Sequence, residues 1–156
     1  MPQEIERKFL INHEKWETLK KPLGEYYRQG YILADPAKTI RVRITDSAAF
    51  LTIKGASVGA TRLEYEYPIP KNEASELLEN FSVSELSKIR YKIRHENHNW
   101  EVDEFSGDNE GLIIAEIELS SEEERFALPE WISDEVTGDA KYYNSSLTMN
   151  PYKNWE

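Results

Sequence analysis

The sequence predicts a mainly β domain of the α+β class, built as an eight-stranded antiparallel β-barrel with a charged interior and short flanking helices. The first observation is that about eight segments alternate apolar with polar side chains over strand-like lengths. The second is that short polar connections, such as residues 45–48 and 95–99, join some of these segments in the manner of antiparallel hairpins. The third is that full charges, rather than Ser, Thr or Gln, occupy the polar side of nearly every strand.

Seven of the segments alternate clearly and an eighth is less regular. The clear segments are residues 3–11, 39–45, 49–55, 61–69, 86–95, 98–105 and 112–119. Residues 26–34 form the eighth segment. Because eight strands can close into a barrel wide enough for one small ligand, we expect a tunnel whose apolar faces pack outward against the helices.

Helical patterns are confined to short segments. One helix is expected over residues 72–81, with Asn72 as its N-cap, and Ser121 with Glu124 forms a capping-box pattern that predicts another. Weaker helical patterns cover residues 13–21 and 140–147. Since no repeat, low-complexity tract or interdomain linker separates these elements, residues 1–156 are expected to form a single domain.

Charge and composition narrow the classes of partner. The formal net charge is −10, from 29 acidic against 19 basic residues, which argues against a nucleic-acid partner because phosphate backbones require a basic face. The absence of cysteine excludes disulfides and thiolate chemistry. Apolar runs such as residues 111–115 are too short to cross a membrane, and the N-terminus lacks the features of a signal peptide. We therefore expect a cytoplasmic protein without a membrane partner, and the oligomeric state is left open, a homodimer included.

Like charges recur at every second residue along the strands, which places them on one face. Arg41 with Arg43 and Glu116 with Glu118 are two such pairs. For any one strand, an ordinary solvated face is the simpler interpretation. Across all the strands, however, grouped like charges would repel one another on an open sheet, so they favour inward-facing sets that share counter-ions.

Two kinds of ligand follow from the charges that such an interior would carry. Guanidinium and ammonium groups suit a compact polyanion such as a polyphosphate, and the candidates are Arg41, Arg43, Lys54, Lys88 and Arg90. Carboxylates suit a hard divalent cation, Mg²⁺ or Mn²⁺, and the candidates are Glu4, Glu6, Glu64, Glu66, Asp103, Glu116 and Glu118. Because dry burial of unpaired ions is costly, a bound complex of metal and polyphosphate satisfies both sets.

Seven motifs, in this order along the chain, resemble those of the CYTH superfamily, also called triphosphate tunnel metalloenzymes. They are Glu4-Ile5-Glu6-Arg7-Lys8, Arg41-Val42-Arg43, Thr52-Ile53-Lys54-Gly55, Arg62-Leu63-Glu64-Tyr65-Glu66, Lys88-Ile89-Arg90-Tyr91, Glu101-Val102-Asp103 and Ala115-Glu116-Ile117-Glu118-Leu119. Residues 136–144 also resemble the closing segment of short bacterial members, so the resemblance spans essentially the whole chain. It implies an eight-stranded antiparallel tunnel and metal-dependent hydrolysis of triphosphates, most often of inorganic triphosphate.

The resemblance also implies individual roles. Glu6, Glu116 and Glu118 would hold the metal bound to the phosphates, and Glu4 would orient or deprotonate the attacking water. A second metal would be supported by Glu64, Glu66 and Asp103. The substrate-binding set is Lys8, which also counts as catalytic, with Arg41, Arg43, Lys54, Lys88, Arg90 and Lys141. Lys141 stands where related sequences often carry Arg, so the charge is kept but bidentate geometry is lost.

Several alternative functions stay open on the same residues. An adenylate cyclase of the same superfamily (class IV type), a thiamine-triphosphatase or a nucleoside-triphosphatase would use the same tunnel, although no purine or ribose pocket is evident in the sequence. A non-catalytic polyphosphate- or nucleotide-binding module would need only the basic residues, and the retained acids argue against it. Nucleotide binding of the Walker type is disfavoured because the Gly-x-x-x-x-Gly-Lys-Ser/Thr motif does not occur.

Overall fold

The computed structural model describes residues 1–155. Within them lie three α-helices, α1 (His13–Thr18), α2 (Lys71–Phe81) and α3 (Asn144–Met149). The strands are β1 (Gln3–Ile11), β2 (Glu25–Asp35), β3 (Lys38–Ile44), β4 (Ala49–Gly55), β5 (Thr61–Pro68), β6 (Ser84–His95), β7 (His98–Phe105), β8 (Ile113–Glu118) and β9 (Ile132–Glu135). No helix in this described part of the chain is long and apolar enough to cross a membrane.

Eight of the strands close into an antiparallel barrel, as predicted. Their order around the barrel is β1, β5, β4, β3, β2, β6, β7 and β8, with β8 returning to β1. The closing contact between β1 and β5 is the shortest, since it pairs only Gln3–Ile5 with residues 61–63. Beyond it, the same edge of β1 pairs with β9 at Phe9 and Ile11. The alternation did not predict β9, which lies outside the closed ring.

Apolar side chains cover the outside of the barrel. Phe9 and Trp100 project outward from β1 and β7 and meet edge to face, with ring centroids 5.5 Å apart. Trp16 of α1 is buried and packs in the same manner against Trp131, at 5.5 Å. On the far side, α2 lays Leu78 over the outward face of β3. The helices therefore bury the apolar strand faces and leave the opposite faces to the interior.

One end of the barrel interior is filled by apolar side chains. Leu147 of α3 is fully buried and packs with Leu86, Phe105 and Ile114, which face inward from β6, β7 and β8. Two residues farther along the same faces stand Lys88, Asp103 and Glu116. The interior is therefore closed at the α3 end, and its charged part begins where this apolar floor stops.

The helix expected over residues 72–81 is present as α2, but its predicted N-cap and a second predicted helix were wrong. The N-cap of α2 is Pro70, without a side-chain hydrogen bond, rather than Asn72. Residues 121–124 form a turn rather than a helix. The Glu124 carboxylate accepts a hydrogen bond from the backbone N–H of Ser120 at 2.6 Å and lies 2.7 Å from His98 Nε2. It therefore fastens the turn to β7 instead of capping a helix.

The two weaker helical patterns were partly right. The first gives α1, which stops at Thr18 rather than at residue 21. The second divides into a short 3₁₀ helix over Ala140–Tyr142 and α3, which begins at Asn144. In both places the helix is short and its position is set by one buried side chain, Trp16 in α1 and Leu147 in α3.

We expect Leu78→Ala to destabilise the fold by roughly 2–5 kcal/mol, the usual cost of removing a buried leucine side chain. Leu78 sits so close to the barrel that a Cβ added at Gly30 would lie 2.7 Å from its Cδ2. The free energy of unfolding in urea measures the effect. The exposed neighbour Glu79, changed to Ala, is the control and should alter stability by less than about 0.5 kcal/mol. Equal effects of the two changes would contradict a stabilising role of α2.

Candidate functional site

A cavity of about 280 Å³ occupies the charged part of the barrel interior. Its charged lining comprises Glu4, Glu6, Lys8, Arg41, Arg43, Lys54, Arg62, Glu64, Glu66, Lys88, Arg90, Glu101, Glu116 and Glu118. All the predicted site residues thus line this one cavity, with the exception of Asp103 and Lys141. Alternation along the strands produces this result because inward positions on neighbouring strands lie side by side.

Strand register separates the charges into an acidic and a basic wall. On the acidic wall, β1 pairs with β8 so that Glu6 stands opposite Glu118 and Lys8 opposite Glu116. On the basic wall, β3 and β6 carry the arginines and Lys88, and β2 runs between these two strands. A ligand in the cavity would therefore meet carboxylates on one side and guanidinium groups on the other.

Glu116 is the most strongly paired carboxylate of the acidic wall. Lys8 Nζ donates to its Oε2, and Arg90 Nη2 donates to its Oε1 at 3.1 Å. Although burial works in the opposite direction, Lys8 and the other neighbouring donors hold the pKa of Glu116 well below its usual range. Burial and the negative charge of Glu116 raise the pKa of the adjacent Glu6 to about 8. Lys8 Nζ also lies 3.3 Å from Glu6 Oε1, but its charge is shared with Glu116 and does not offset burial.

Glu4 and Lys54 form a second pair, which lies farther from the apolar floor than Lys8 and Glu116. Lys54 Nζ donates to Glu4 Oε1 at 2.7 Å and lies 3.2 Å from Glu64 Oε2. Against the effect of burial, Lys54 lowers the pKa of Glu4. Burial raises the pKa of Glu64, and burial together with Glu4 raises that of Glu118. Glu4 is therefore held ionised while carboxylates around it are driven towards the neutral form.

Asp103 lies beneath the basic wall rather than in the cavity lining. Its two oxygens accept hydrogen bonds from Arg90 Nε at 2.7 Å and Nη2 at 2.8 Å, and Lys88 Nζ lies 2.8 Å from Oδ2. Although burial opposes it, the charge of Arg90 and then of Lys88 holds the pKa of Asp103 at about 2. Because both oxygens are engaged by these bases, the position is that of a counter-ion and does not support the predicted role as a metal ligand.

Lys88 is completely buried, and burial lowers its pKa to about 7 despite the nearby Asp103. Its ammonium group also donates to Asn144 Oδ1 at 2.7 Å. Asn144 begins α3, so the C-terminal segment reaches the basic wall. Lys88 is therefore held from both sides, by the barrel and by the segment that closes it.

Lys141 lies away from the cavity. Its ammonium group is 4.5 Å from the ring centroid of Trp155 and 5.2 Å from that of Tyr142, on an exposed stretch of chain. The structure therefore does not bring Lys141 to the other predicted substrate-binding residues, and its predicted role does not fit this position.

The carboxylates have the oxygen donors that a divalent cation requires, but in the structure they are not arranged around a common point. Within residues 1–155, no three Asp, Glu or His side chains already form a metal cluster. Instead Glu116 forms a salt bridge with Lys8, and Glu4 forms one with Lys54. Oxygen donors of this kind nevertheless match Mg²⁺ or Mn²⁺, and the raised pKa of Glu6 shows that its charged form is poorly stabilised by the groups around it. The carboxylates therefore fit a divalent cation that displaces the ammonium groups of Lys8 and Lys54.

Several lining residues were missed by the sequence analysis as candidates. Tyr27 and Tyr31 face the cavity from β2, and Tyr143 and Asn144 face it from the C-terminal segment. The signal for the first two was their spacing, with Gln29, at every second residue of the least regular strand. This signal went unused because only charged residues were considered as candidates. No periodic signal marks Asn144, which is the first residue of a short helix.

Comparison with known proteins gives consistent matches over nearly the whole chain. A family model described as the CYTH domain matches residues 2–148. The inorganic triphosphatase of Acetivibrio thermocellus is 51% identical over 157 residues, which cover 100% of this chain and 99% of that protein. The inorganic triphosphatase of Nitrosomonas europaea is 33% identical and covers 94% of this chain and 97% of its own. A crystal structure of an inorganic triphosphatase superposes with a TM-score of 0.65 at 29% identity, covering 96% of each chain.

We expect Glu6→Gln to stabilise the metal-free protein at alkaline pH. Because the folded pKa of about 8 lies above the unfolded value of 4.5, the parent loses stability as the pH rises from 4.5 to 8. Gln does not titrate, so the variant should exceed the parent by roughly 4–5 kcal/mol at pH 8.5, or roughly 8–20 °C in Tm, and by much less at pH 5.

Calorimetric Tm values in EDTA at the two pH values measure this difference. Glu79→Gln, on the exposed face of α2, is the control and should follow the parent at both. A gap between Glu6→Gln and the parent that does not change with pH would show that the buried carboxyl is not the origin.

Proposed function

The chain belongs to the CYTH domain family, and we propose that it is an inorganic triphosphatase that cleaves triphosphate into pyrophosphate and orthophosphate with Mg²⁺ or Mn²⁺. The observation that carries this proposal is the barrel cavity, in which a basic wall faces an acidic wall. Phosphoryl transfer needs that combination, because the protein must hold a polyanion, neutralise developing charge and orient a water. The names of the two relatives at 51% and 33% identity support the same activity.

The dimensions of the cavity favour an unsubstituted triphosphate. Its volume of about 280 Å³ lies at the lower end of the roughly 300–1,000 Å³ typical of small-molecule pockets. The apolar floor around Leu147 closes one end, so a nucleoside could not extend through it. The adenylate cyclase and nucleoside-triphosphatase alternatives would therefore require the base and the ribose to project from the open end of the cavity.

The basic wall supplies the phosphate contacts in this proposal. Arg41, Arg43, Lys88 and Arg90 present charge-assisted donors to the cavity, and Lys54 of β4 adds a further one beside Glu4. Arg41 Nε is buried and has no hydrogen-bond partner within residues 1–155, while its Nη2 donates to Thr52 at 3.2 Å. An unsatisfied buried donor is costly, and a phosphate oxygen would satisfy it.

The acidic wall supplies the metal ligands and the group that acts on water. Glu6, Glu116 and Glu118 would hold a divalent cation, with Glu64 and Glu66 nearer the mouth as further donors. When bound, such a cation neutralises charge on phosphate oxygens and acts as a Lewis acid. Glu4, which Lys54 keeps ionised, orients the attacking water and accepts its proton. Lys8 balances the carboxylates next to the reacting phosphate.

Other properties stay predictions from the sequence. They are the cytoplasmic location, the homodimer left open above, and the function of residues 1–156 as one domain. The preference between Mg²⁺ and Mn²⁺ is not decided by the oxygen donors, which suit both ions.

We expect hydrolysis of inorganic triphosphate to stop when EDTA is added and to return with Mg²⁺ or Mn²⁺. Without a cation, the carboxylates of β1 and β8 would repel the substrate. Chromatography of the products should give pyrophosphate and orthophosphate in equal amounts, and ATP or thiamine triphosphate should react more slowly. Undiminished activity in EDTA would contradict the metal requirement, and formation of cyclic AMP from ATP would favour the cyclase alternative.

We expect Glu4→Gln to lower kcat by about 10²-fold or more, within the roughly 10²–10⁴-fold typical of general-base catalysis. The amide keeps the size of the side chain but cannot accept the proton. Triphosphate with Mg²⁺ should still raise Tm, because binding does not depend on this step. Single-turnover rates at saturating substrate measure the effect, with Glu79→Gln as the control. Lost binding with an intact rate at saturation would reassign Glu4 to substrate capture.

A further inference from the structure

β2 differs from its neighbours because the middle of its inward face carries no formal charge; Glu25, at the start of the strand opposite Arg90, does not line the cavity. Tyr27, Gln29 and Tyr31 are buried on that face. The strand runs between β3 and β6, and its register places Gln29 beside Arg43 and Tyr27 beside Lys88. An uncharged stretch of inward face therefore separates the two strands that carry the basic wall.

The ring of Tyr27 is shared by one arginine from each of these strands. Its centroid lies 5.0 Å from Arg43 Cζ and 5.1 Å from Arg90 Cζ. Both distances are within the roughly 6 Å over which a guanidinium is attracted to an aromatic face. Since Tyr27 is only 6% exposed, water does not weaken these contacts much.

The two arginines are otherwise held in different ways. Arg90 has a bidentate partner in Asp103. Arg43 makes no ion pair with a carboxylate among residues 1–155, and its Nε donates to the neutral Gln29 Oε1 at 2.9 Å. Burial and the charges of Arg41 and Arg90 lower the pKa of Arg43 to about 10. Arg43 therefore requires a stabilising contact that leaves its other guanidinium N–H groups free to bind a ligand.

We propose that Tyr27 is a positioning residue of the triphosphate site, whose ring holds Arg43 beside Arg90 so that both guanidinium groups are in place before the substrate binds. An aromatic face suits this task because it attracts the flat side of a guanidinium, whereas the N–H donors lie in the guanidinium plane. A carboxylate at this position would bind those donors itself and compete with phosphate oxygens. The assignment rests on the proposed triphosphatase function, although the contact between the ring and the arginines does not.

Two substitutions separate the ring from the hydroxyl. Tyr27→Phe keeps the ring and should retain the KM for inorganic triphosphate and the kcat to within about twofold. Tyr27→Leu keeps an apolar side chain without an aromatic face, and KM should rise about 10-fold while kcat changes by less than about threefold. Tyr26, on the outward face of the same strand and half exposed, provides the control, and Tyr26→Leu should leave both constants unchanged.

The arginine side chains give a readout that does not depend on turnover. In a ¹H–¹⁵N spectrum of the parent protein, the Nε–H signals of Arg43 and Arg90 should be displaced by the ring current of Tyr27. The displacement should persist in Tyr27→Phe and disappear in Tyr27→Leu. Arg43→Lys and Arg90→Lys assign the signals, since each removes one. Undisplaced signals in the parent would overturn the proposal even if Tyr27→Leu did not fold.

The kinetic outcomes are equally decisive. A Tyr27→Leu variant with the KM of the parent, a Tyr27→Phe variant as impaired as Tyr27→Leu, or a fall in kcat alone would each overturn the positioning role. If the parent hydrolyses no inorganic triphosphate, the proposed function fails by itself. Calorimetric binding of inorganic triphosphate to the parent and both variants, together with the arginine spectra, then tests the inference: weaker binding by Tyr27→Leu alone supports it, and equal binding by all three overturns it.

Discussion

The structure depends on charge compensation inside the barrel. Strand alternation forces the polar faces inward, where dry burial of an unpaired ion would cost several kcal/mol. The inward-facing acids and bases meet this constraint by pairing with their neighbours: Lys8 pairs with Glu116, Lys54 with Glu4 and Arg90 with Asp103. Because the charged strand faces point inward, the apolar faces form the outside of the barrel, where α1 and α2 cover them.

Compensation is uneven, and its gaps coincide with the proposed ligand sites. Asp103 is saturated by Arg90 and Lys88 and keeps a pKa of about 2, so it fixes the basic wall without access to the cavity. Glu6 has the opposite environment, and burial beside Glu116 raises its pKa to about 8. Arg41 Nε has no acceptor among the described residues. A cation near Glu6 and a phosphate near Arg41 would complete the pairing on both walls.

Much of this arrangement follows from the sequence because a period of two fixes which residues share a face. Alternation and motif order were sufficient to predict the closed eight-stranded barrel and most of the residues that line the cavity. Alternation cannot say whether an inward oxygen is free or already bound, so Asp103 was assigned to a metal. Nor does it apply outside strands, which is why Asn144 was missed; Lys141, also outside the strands, was assigned to the site through the family resemblance alone. The capping-box pattern failed because Glu124 finds partners in Ser120 and His98, a tertiary contact that local sequence does not encode.

The uncharged middle of the inward face of β2 links the basic wall to the closed end of the barrel. Gln29 is fully buried; its Oε1 accepts from Arg43 Nε at 2.9 Å, and its Nε2 donates to Asn144 Oδ1 at 3.1 Å. The same Asn144 oxygen accepts from Lys88 at 2.7 Å. One amide pair thus joins an arginine of β3, a lysine of β6 and the start of α3. Because neutral groups make these contacts, they fix the directions of the cations without cancelling their charge, and the positive field of the wall stays available to a phosphate.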